Sequence, residues 1–367
     1  MYRGGGETFN LNIASGLQKL GVKVSFVTGK PLFGEVKYPI TEFPAEYCSS
    51  SYIRDLALPI SSMRNIHIPG PDFIIDNLDQ IFFCRSCLKL LSKNQDYDIL
   101  HVNRIGLIKM KTIRDTPIVI RFPGPPLLWQ RKLIQRFDAV IASGDSVNFI
   151  KENIRNDVID IPPGIDAEKF KPVNNSIRNE YLIGDADKIL LFVGRFVPLK
   201  NLPFLIESFK EVIKQTEDVK LMLVGEGALE KRIKKLIENY KLQKSVIFTG
   251  KVDNKELAKY YSAADIFVLS SFYESFSFVT IEAMSCQLPI VATNVGYLPK
   301  LIKPGENGFL IESGNVQQFK DAIITLLDDE SLAKEMGKRN RIKVQEKYDW
   351  VQSAKKLKGV YESLMES

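Results

Sequence analysis

Two glutamates eight positions apart frame the segment with the clearest chemistry, Glu274-Ser-Phe-Ser-Phe-Val-Thr-Ile-Glu282. Glu274 falls in a loop after an apolar run, Asp265-Ile-Phe-Val-Leu-Ser270, that reads as a strand. Glu282 falls in the first turns of a helix running through Glu282-Ala-Met-Ser-Cys286. A helix N-terminus presents N–H groups with no intrahelical partner, and anions settle there. The segment therefore offers one carboxylate for sugar hydroxyls, free N–H groups for a phosphate, and a second carboxylate further on. That is the chemistry of a nucleotide-sugar clamp. Glutamate near a helix start is also favourable by itself, so a solvated helix start is the plain alternative.

A second cluster answers the first. Gly194-Arg-Phe-Val-Pro-Leu-Lys200 follows the apolar run Ile189-Leu-Leu-Phe-Val193. In an open α/β sheet, ligands bind at the carboxyl ends of strands. Arg195 and Lys200 there suit a diphosphate, the arginine as a fork and the lysine as a point charge. Alone they would be a solvated charged loop. Beside Glu274 and Glu282 they point to the same ligand. A third feature is weak alone: Gly4, Gly5 and Gly6 stand before an expected helix over Thr8–Leu20, where a backbone can approach an anion.

Alternating strands and helices position these residues. In the first half Val22–Val27, Ile99–Val102, Pro117–Arg121 and Ala139–Ala142 read as strands. In the second, strands are expected at Ile189–Val193, Leu221–Val224, Val246–Phe248, Ile266–Leu269, Ile290–Ala292 and Gly308–Ile311. Helices Leu202–Thr216, Leu229–Tyr240 and Asn254–Ser262 lie between them. This alternation predicts parallel sheets covered on both faces. Ile161-Pro-Pro-Gly-Ile-Asp166 breaks any element passing through it. It divides the chain into domains 1–165 and 166–349, with a C-terminal amphipathic helix in 350–367 expected to pack back toward the first domain.

The 367 residues, 45% hydrophobic and 26% charged, fit an ordinary globular protein of two domains. A net charge of +6 fits anionic substrates or an anionic membrane surface. No arginine-rich arm or aromatic signature argues for nucleic acid. No apolar run is long enough to span a membrane, and Met1-Tyr-Arg-Gly-Gly-Gly6 lacks the apolar core of a signal peptide. A cytoplasmic location is the expectation. Cys84-Arg-Ser-Cys87 has metal or redox spacing but no second pair, so a shared helix face explains it better. Asp96-Tyr-Asp98 and Asp185-Ala-Asp187 precede strands, where aspartates make turns, and no metal site is expected.

In register, the second half resembles the retaining GT-B glycosyltransferases of family four, the glycosyl transferases group 1. The matching residues are Phe192-Val-Gly-Arg195, Lys200-Asn201, Val224-Gly-Glu-Gly227, Phe248-Thr-Gly250, Tyr261-Ser-Ala-Ala-Asp265, Glu274, Glu282-Ala-Met284, Leu288–Gly296 and Tyr348-Asp-Trp350. The resemblance implies two Rossmann-like domains facing across a cleft, with the donor bound mainly by the second and the acceptor by the first. Arg195 and Lys200 would hold the diphosphate, Glu282 ribose hydroxyls, and Glu274 donor-sugar hydroxyls near the reacting carbon. The implied catalytic set is Glu274, Arg195 and Lys200. The implied donor site adds Ser275, Phe276, Ser277, Phe278, Val279, Gly225 and Val252. Gly4, Gly5, Gly6 and Arg121 would belong to the cleft. No cofactor is implied beyond the nucleotide-diphosphate sugar itself, and the acceptor would be a sugar or lipid-linked hydroxyl.

Departures from the family pattern matter. Asn201 stands where glycine is usual, and asparagine tolerates the left-handed conformation. Pro123 takes the place of a histidine in Arg121-Phe-Pro-Gly-Pro-Pro126. Arg121 is then either a source of positive charge or a strand-end salt bridge. Of the two histidines, His67 and His101, the second matches a common position of the fold and reads as a satisfied structural residue. The family has a strand before the glycine loop, and this chain starts too late to supply it. A split or exposed edge in the first sheet is the expectation, with a less stable first domain.

The reading is a retaining, metal-independent glycosyltransferase in glycan, polysaccharide or glycolipid assembly. Two alternatives remain open: a nucleotide-sugar-binding protein with lost or weak activity, and a GT-B nucleotide-sugar epimerase. Basic stretches Lys109–Arg114 and Arg131–Arg136, with Leu127, Leu128 and Trp129 nearby, are solvated helix faces or a contact with the inner face of a membrane.

Overall fold

The computed structural model describes residues 5–31, 43–51, 83–93, 97–103, 105–112, 115–216 and 218–366. The chain forms two compact units. The first comprises Met1–Pro162 with Ala354–Ser367, and the second Pro163–Ser353. The helix Trp350–Glu366 therefore begins in the second unit and ends in the first.

The second unit is built on one six-stranded parallel sheet. In chain order its strands are β7 (Lys188–Val193), β8 (Val219–Val224), β9 (Val246–Gly250), β10 (Ile266–Leu269), β11 (Ile290–Thr293) and β12 (Gly308–Ile311). The spatial order is β12-β11-β10-β7-β8-β9. That is the order of a doubly wound dinucleotide-binding sheet, with the chain reversing direction across the sheet between β7 and β10. Strand sequences such as Lys-Ile-Leu-Leu-Phe-Val in β7 are apolar almost throughout because helices bury both faces. The helix Leu202–Ile213 covers one face with Leu202, Leu205, Phe209 and Val212, all fully buried.

Asp265 pins the two strands at that reversal. Its Oδ2 accepts from the Ile189 amide at 2.8 Å and from Arg178 Nη2 at 2.9 Å. Its own N–H donates to the Ile189 carbonyl at 2.9 Å. The last long helix, Glu330–Lys347, starts on the Asp329 side chain, which accepts from the Leu332 amide at 2.9 Å. Its buried Asn340 donates to the Leu288 and Asn307 carbonyls, both at 2.8 Å, and accepts from Asn307 at 2.6 Å. These bonds lock the loops at the strand starts of β11 and β12.

The first unit's strands fall into two parallel sheets. One pairs β1 (Phe26–Pro31) with β2 (Ala45–Ser51); the other orders β3 (Leu100–Val102), β4 (Ile118–Phe122), β5 (Ala139–Ala142) and β6 (Ile159–Asp160) in sequence. The split expected from the sequence is thus present among the described residues. Two boundaries differ from expectation. The strand placed at Val22–Val27 begins only at Phe26 and runs to Pro31, where it gains its partner β2. The first helix spans Gly5–Lys19 rather than Thr8–Leu20, burying Phe9, Ile13, Ala14 and Leu17. Cys84 and Cys87 lie on the helix formed by 83–91 and are both buried in this unit's core. Their spacing is that of one helix face.

His101 on β3 departs from the satisfied residue expected. Its Nδ1 shares a 2.6 Å hydrogen bond with the Tyr361 hydroxyl of the C-terminal helix, but its Nε2 is buried with no hydrogen-bond partner. Burial, and then the nearby Arg121 charge, lower its pKa to about 4. A histidine held below its unfolded value of 6.5 contributes stability fully above that pH. The contribution is lost as pH falls from 6.5 to about 4, for a total of about 3 kcal/mol. Acid should therefore loosen the first unit through this bond. Hydrogen exchange of β3 amides across this range should show protection falling in the parent and a flatter profile in His101→Gln. Identical profiles would show that His101 does not set the acid response.

Candidate functional site

The candidate site lies in the second unit, at the carboxyl ends of the neighbouring strands β7 and β10. Each strand is followed at once by one half of the chemistry. After β7, Gly194 and Arg195 lead into the single turn Pro198–Lys200. Asn201 then takes φ 46° and ψ 45°, the left-handed conformation that its side chain tolerates, and the helix Leu202–Ile213 begins. After β10, residues Ser270–Ser277 lead into the helix Phe278–Ser285.

The two loops are stitched together. The Phe272 amide donates to the Leu199 carbonyl at 2.9 Å, and the Ser270 hydroxyl to the Lys200 carbonyl at 2.8 Å. Lys200 Nζ donates to Glu274 Oε1 at 2.5 Å. The Ser271 hydroxyl donates to the same oxygen at 2.6 Å. Glu274 is only 7% exposed, so its carboxylate is held by an ion pair and a hydroxyl rather than by water. An ammonium carries three donors, and Glu274 occupies one of Lys200's. The lysine thus remains able to bind phosphate oxygens while fixed by its carboxylate. Arg195 is exposed beside it, and no side-chain partner is found for it among the described residues.

Backbone geometry places Glu274 as firmly as its side-chain partners do. Its carbonyl accepts from the Tyr297 amide at 2.9 Å. At Gly296, with φ +53°, an added Cβ would stand 2.0 Å from the Glu274 carbonyl oxygen. Only glycine permits that approach. Gly225, after β8, plays the same part under the other loop, where a Cβ would meet the Gly194 carbonyl oxygen at 2.0 Å.

The helix Phe278–Ser285 starts from Ser277 at φ 62°, a left-handed conformation uncommon for a residue other than glycine. Such a conformation costs roughly 1–2 kcal/mol and persists where the surroundings over-determine it. Here the Ser277 and Thr280 hydroxyls share a 2.8 Å hydrogen bond. The turn puts a helix N-terminus directly after the Glu274 loop, and helix N-termini favour anions.

Glu282 sits one turn further along and is 7% exposed. The Tyr261 hydroxyl donates to its Oε2 at 2.8 Å. Burial pushes the Glu282 carboxyl up to about 7; the Tyr261 bond and the Lys169 charge pull the other way. Tyr261 is fully buried, in edge contact with Phe170. Tyr261 and Ser271 are the residues the sequence reading missed as site members. Their signal was their spacing from Asp265 and Glu274, which only the fold turns into contact.

Not every expected site residue has its side chain here. Ser275 is exposed, and Phe278 and Val279 are half-buried at the helix start. The Phe276 side chain points into the core. Its ring packs in the core on Phe278, Tyr297 and Tyr348, so only its backbone can face a ligand. Val252 is half-buried against the unit's core. In the first unit, Gly5 and Gly6 are the first residues of a helix rather than a loop before it, and Gly4 lies outside the described residues, as do His67 and Asp96. Arg121 at the end of β4 is 5% exposed, and its guanidinium lies 3.6 Å above the Phe9 ring. Its Nη1 is buried without a partner, and burial lowers its pKa to about 10. The strand-end salt bridge is not found among the described residues. Asp187 makes the turn expected of it, its Oδ2 accepting from the Gly184 amide at 3.0 Å.

The comparisons with known proteins agree with this geometry. Residues 173–343 match the model for glycosyl transferases group 1. The chain is 34% identical over 195 residues to N-acetyl-alpha-D-glucosaminyl L-malate synthase of Bacillus anthracis, an alignment covering 53% of this chain and 49% of that one. It is 33% identical over 195 residues to D-inositol 3-phosphate glycosyltransferase of Pseudarthrobacter chlorophenolicus, covering 52% of this chain and 46% of that one. The chain spans about half the length of the curated relatives it matches. Among solved structures, sucrose-phosphate synthase from Thermosynechococcus elongatus superposes with a TM-score of 0.76 at 23% identity, covering 98% of this chain and 94% of that one. Anabaena HepE in complex with UDP and glucose superposes at 0.71 and 20% identity, covering 98% and 96%. The fold is that of the GT-B glycosyltransferases. Within the second unit, residues 173–343 are similar to the glycosyl transferases group 1.

The buried Glu282 generates a signed pH prediction. A carboxyl whose folded value is raised from 4.5 to about 7 costs nothing below pH 4.5. Stability is lost as pH rises from 4.5 through 7, by up to about 3 kcal/mol. Glu282→Gln should therefore gain stability over the parent at pH 8 and gain little at pH 4.5. Tyr261→Phe removes a donor that favours the charged form, so it should move the parent's pH midpoint upward. Denaturant unfolding at several pH values measures both. A pH-independent difference for Glu282→Gln would contradict the buried-carboxyl account. Gly296→Ala should displace the Glu274 carbonyl and weaken ligand binding at this site, readable by calorimetry.

Proposed function

We propose that the protein is a retaining glycosyltransferase that moves a sugar from a nucleotide-diphosphate sugar to a hydroxyl acceptor. The observation that carries this reading is the meeting of Arg195, Lys200 and Glu274 at the ends of adjacent strands, with a helix N-terminus and Glu282 behind them. In the proposed reaction the bond between the sugar's anomeric carbon and the diphosphate oxygen breaks, and its electron pair stays on that oxygen. Arg195, Lys200 and the first N–H groups of Phe278–Ser285 stabilise the developing charge. The acceptor hydroxyl attacks from the same face, and its proton passes to the departing phosphate oxygen, so configuration is retained. Glu274 holds donor-sugar hydroxyls near the reacting carbon, and Glu282 holds ribose hydroxyls.

Cations and helix N–H groups supply this stabilisation, so turnover is expected to be metal-independent. A sugar or lipid-linked acceptor, in glycan, polysaccharide or glycolipid assembly, belongs to the same proposal, as does a cytoplasmic location. Among the described residues no helix is long and apolar enough to cross a membrane.

A thermal-shift screen with UDP-, GDP-, ADP- and dTDP-sugars should reveal the donor, because a ligand that binds the native state raises its melting temperature. With that donor, Arg195→Ala and Lys200→Ala should each weaken binding by about 1.5–3 kcal/mol. Glu282→Ala should harm nucleotide and nucleotide sugar alike, and Glu274→Ala chiefly the nucleotide sugar. Equal losses for both ligands in both variants would overturn the division of roles. Turnover should survive excess EDTA. Donor binding without transfer to any acceptor would favour a binding protein, and product formed without acceptor an epimerase.

A further inference from the structure

Among the described residues, the most exposed group of consecutive large apolar side chains is Leu127-Leu128-Trp129 in the first unit, at 46%, 58% and 66% exposure. Single exposed apolar residues are ordinary, but a contiguous group calls for a partner. The group is built into a fixed turn. The Gln130 amide donates to the Leu127 carbonyl at 2.9 Å, and the Leu127 amide to Gln130 Oε1 at 3.2 Å. The following short helix, Arg131–Ile134, is anchored by Ile134 at 0% exposure, and Phe137 behind it at 2%. The core thus holds the turn outward as a ledge.

Charge decides what the ledge fits. Arg131, Lys132 and Arg136 are exposed beside it. From Phe122 to Phe137 the chain has these three basic residues and no acidic one. Tryptophan favours the boundary between an apolar phase and water, and arginine and lysine favour anionic headgroups. We propose that Leu127, Leu128 and Trp129, flanked by Arg131, Lys132 and Arg136, form a docking surface for an anionic lipid bilayer. The apolar side chains enter the headgroup boundary, and the three cations meet lipid phosphates. This surface is separate from the nucleotide-sugar reading, since vesicle binding needs no turnover.

The test is co-sedimentation with vesicles of phosphatidylcholine alone and with one third phosphatidylglycerol, using the full chain. Binding is expected to the anionic vesicles and to weaken with salt. The chain has two tryptophans, and Trp350 is buried at 8% exposure, so a blue shift of emission on binding reports Trp129. Leu128→Ser with Trp129→Ser should reduce vesicle affinity at least about tenfold and abolish the shift. Arg131→Glu with Lys132→Glu should do the same to affinity, since each cation near the surface contributes about fivefold. Both variants should keep the parent's melting temperature and its shift with nucleotide sugar. Three results would overturn the proposal: no binding to anionic vesicles, equal binding by parent and variants, or a concentration-dependent dimer lost in the serine variant, which would make this a face between two copies of the chain.

Discussion

The bond between Asp265 and the start of β7 is the constraint on which the candidate site's geometry depends. Through it, β10 lies beside β7, although β8 and β9 come between them in the chain. The sheet therefore reverses its winding between these two strands. The two loops that leave these neighbouring strand ends are joined by the Phe272–Leu199 and Ser270–Lys200 hydrogen bonds, at the kind of reversal where open α/β sheets bind ligands. Arg195 and Lys200 ride on one loop, Glu274 and the helix Phe278–Ser285 on the other. Asp265 itself lies at the opposite ends of these strands from the candidate site. It is neutralised by Arg178 at the far end of the strands, which is why its carboxylate tolerates a half-buried place.

The buried charged residues of the candidate site each have a side-chain partner, and Arg195 is exposed. Lys200 and Glu274, largely removed from water, hold each other, and Ser271 satisfies the same carboxylate oxygen. A buried pair of this kind contributes little net stability, because desolvation offsets attraction. What it provides is position: a cation and a carboxylate fixed at one point before any anion arrives. Glu282 is treated differently. It has a tyrosine hydroxyl and only a distant lysine, so burial dominates and its proton is held to about pH 7. The two carboxylates thus differ in their neighbours: an ammonium and a serine hydroxyl at Glu274, a tyrosine hydroxyl at Glu282. The same economy of buried polar groups is missing at Arg121 and His101 in the first unit, whose unpartnered nitrogens are an expense the fold accepts there.

The loop geometry carries strain at the candidate site. Ser277 and Asn201 adopt left-handed backbone at the starts of the two helices that flank the site. Gly296 and Gly225 allow backbone approaches closed to any other residue. Each feature lies where a strand gives way to a helix within a few residues.

The chain's own pattern was enough to place most of the second unit. Strands at Ile266–Leu269 and Gly308–Ile311 fall where apolar runs between turn residues put them, because burial on both faces leaves an uninterrupted signal. Glu274, Glu282, Arg195 and Lys200 were legible too, since charged residues next to strand ends and helix starts announce themselves locally. The first unit was less legible. β1 begins four residues later than its apolar run because pairing with β2, not composition, decides where it becomes a strand. Tertiary structure alone decided that Lys200 meets Glu274 across 74 positions, that Tyr261 caps Glu282, and that Phe276 turns into the core. Those outcomes depend on which strands become neighbours. Local periodicity carries no record of that, because the energy that selects the neighbours comes from contacts between residues far apart in the chain.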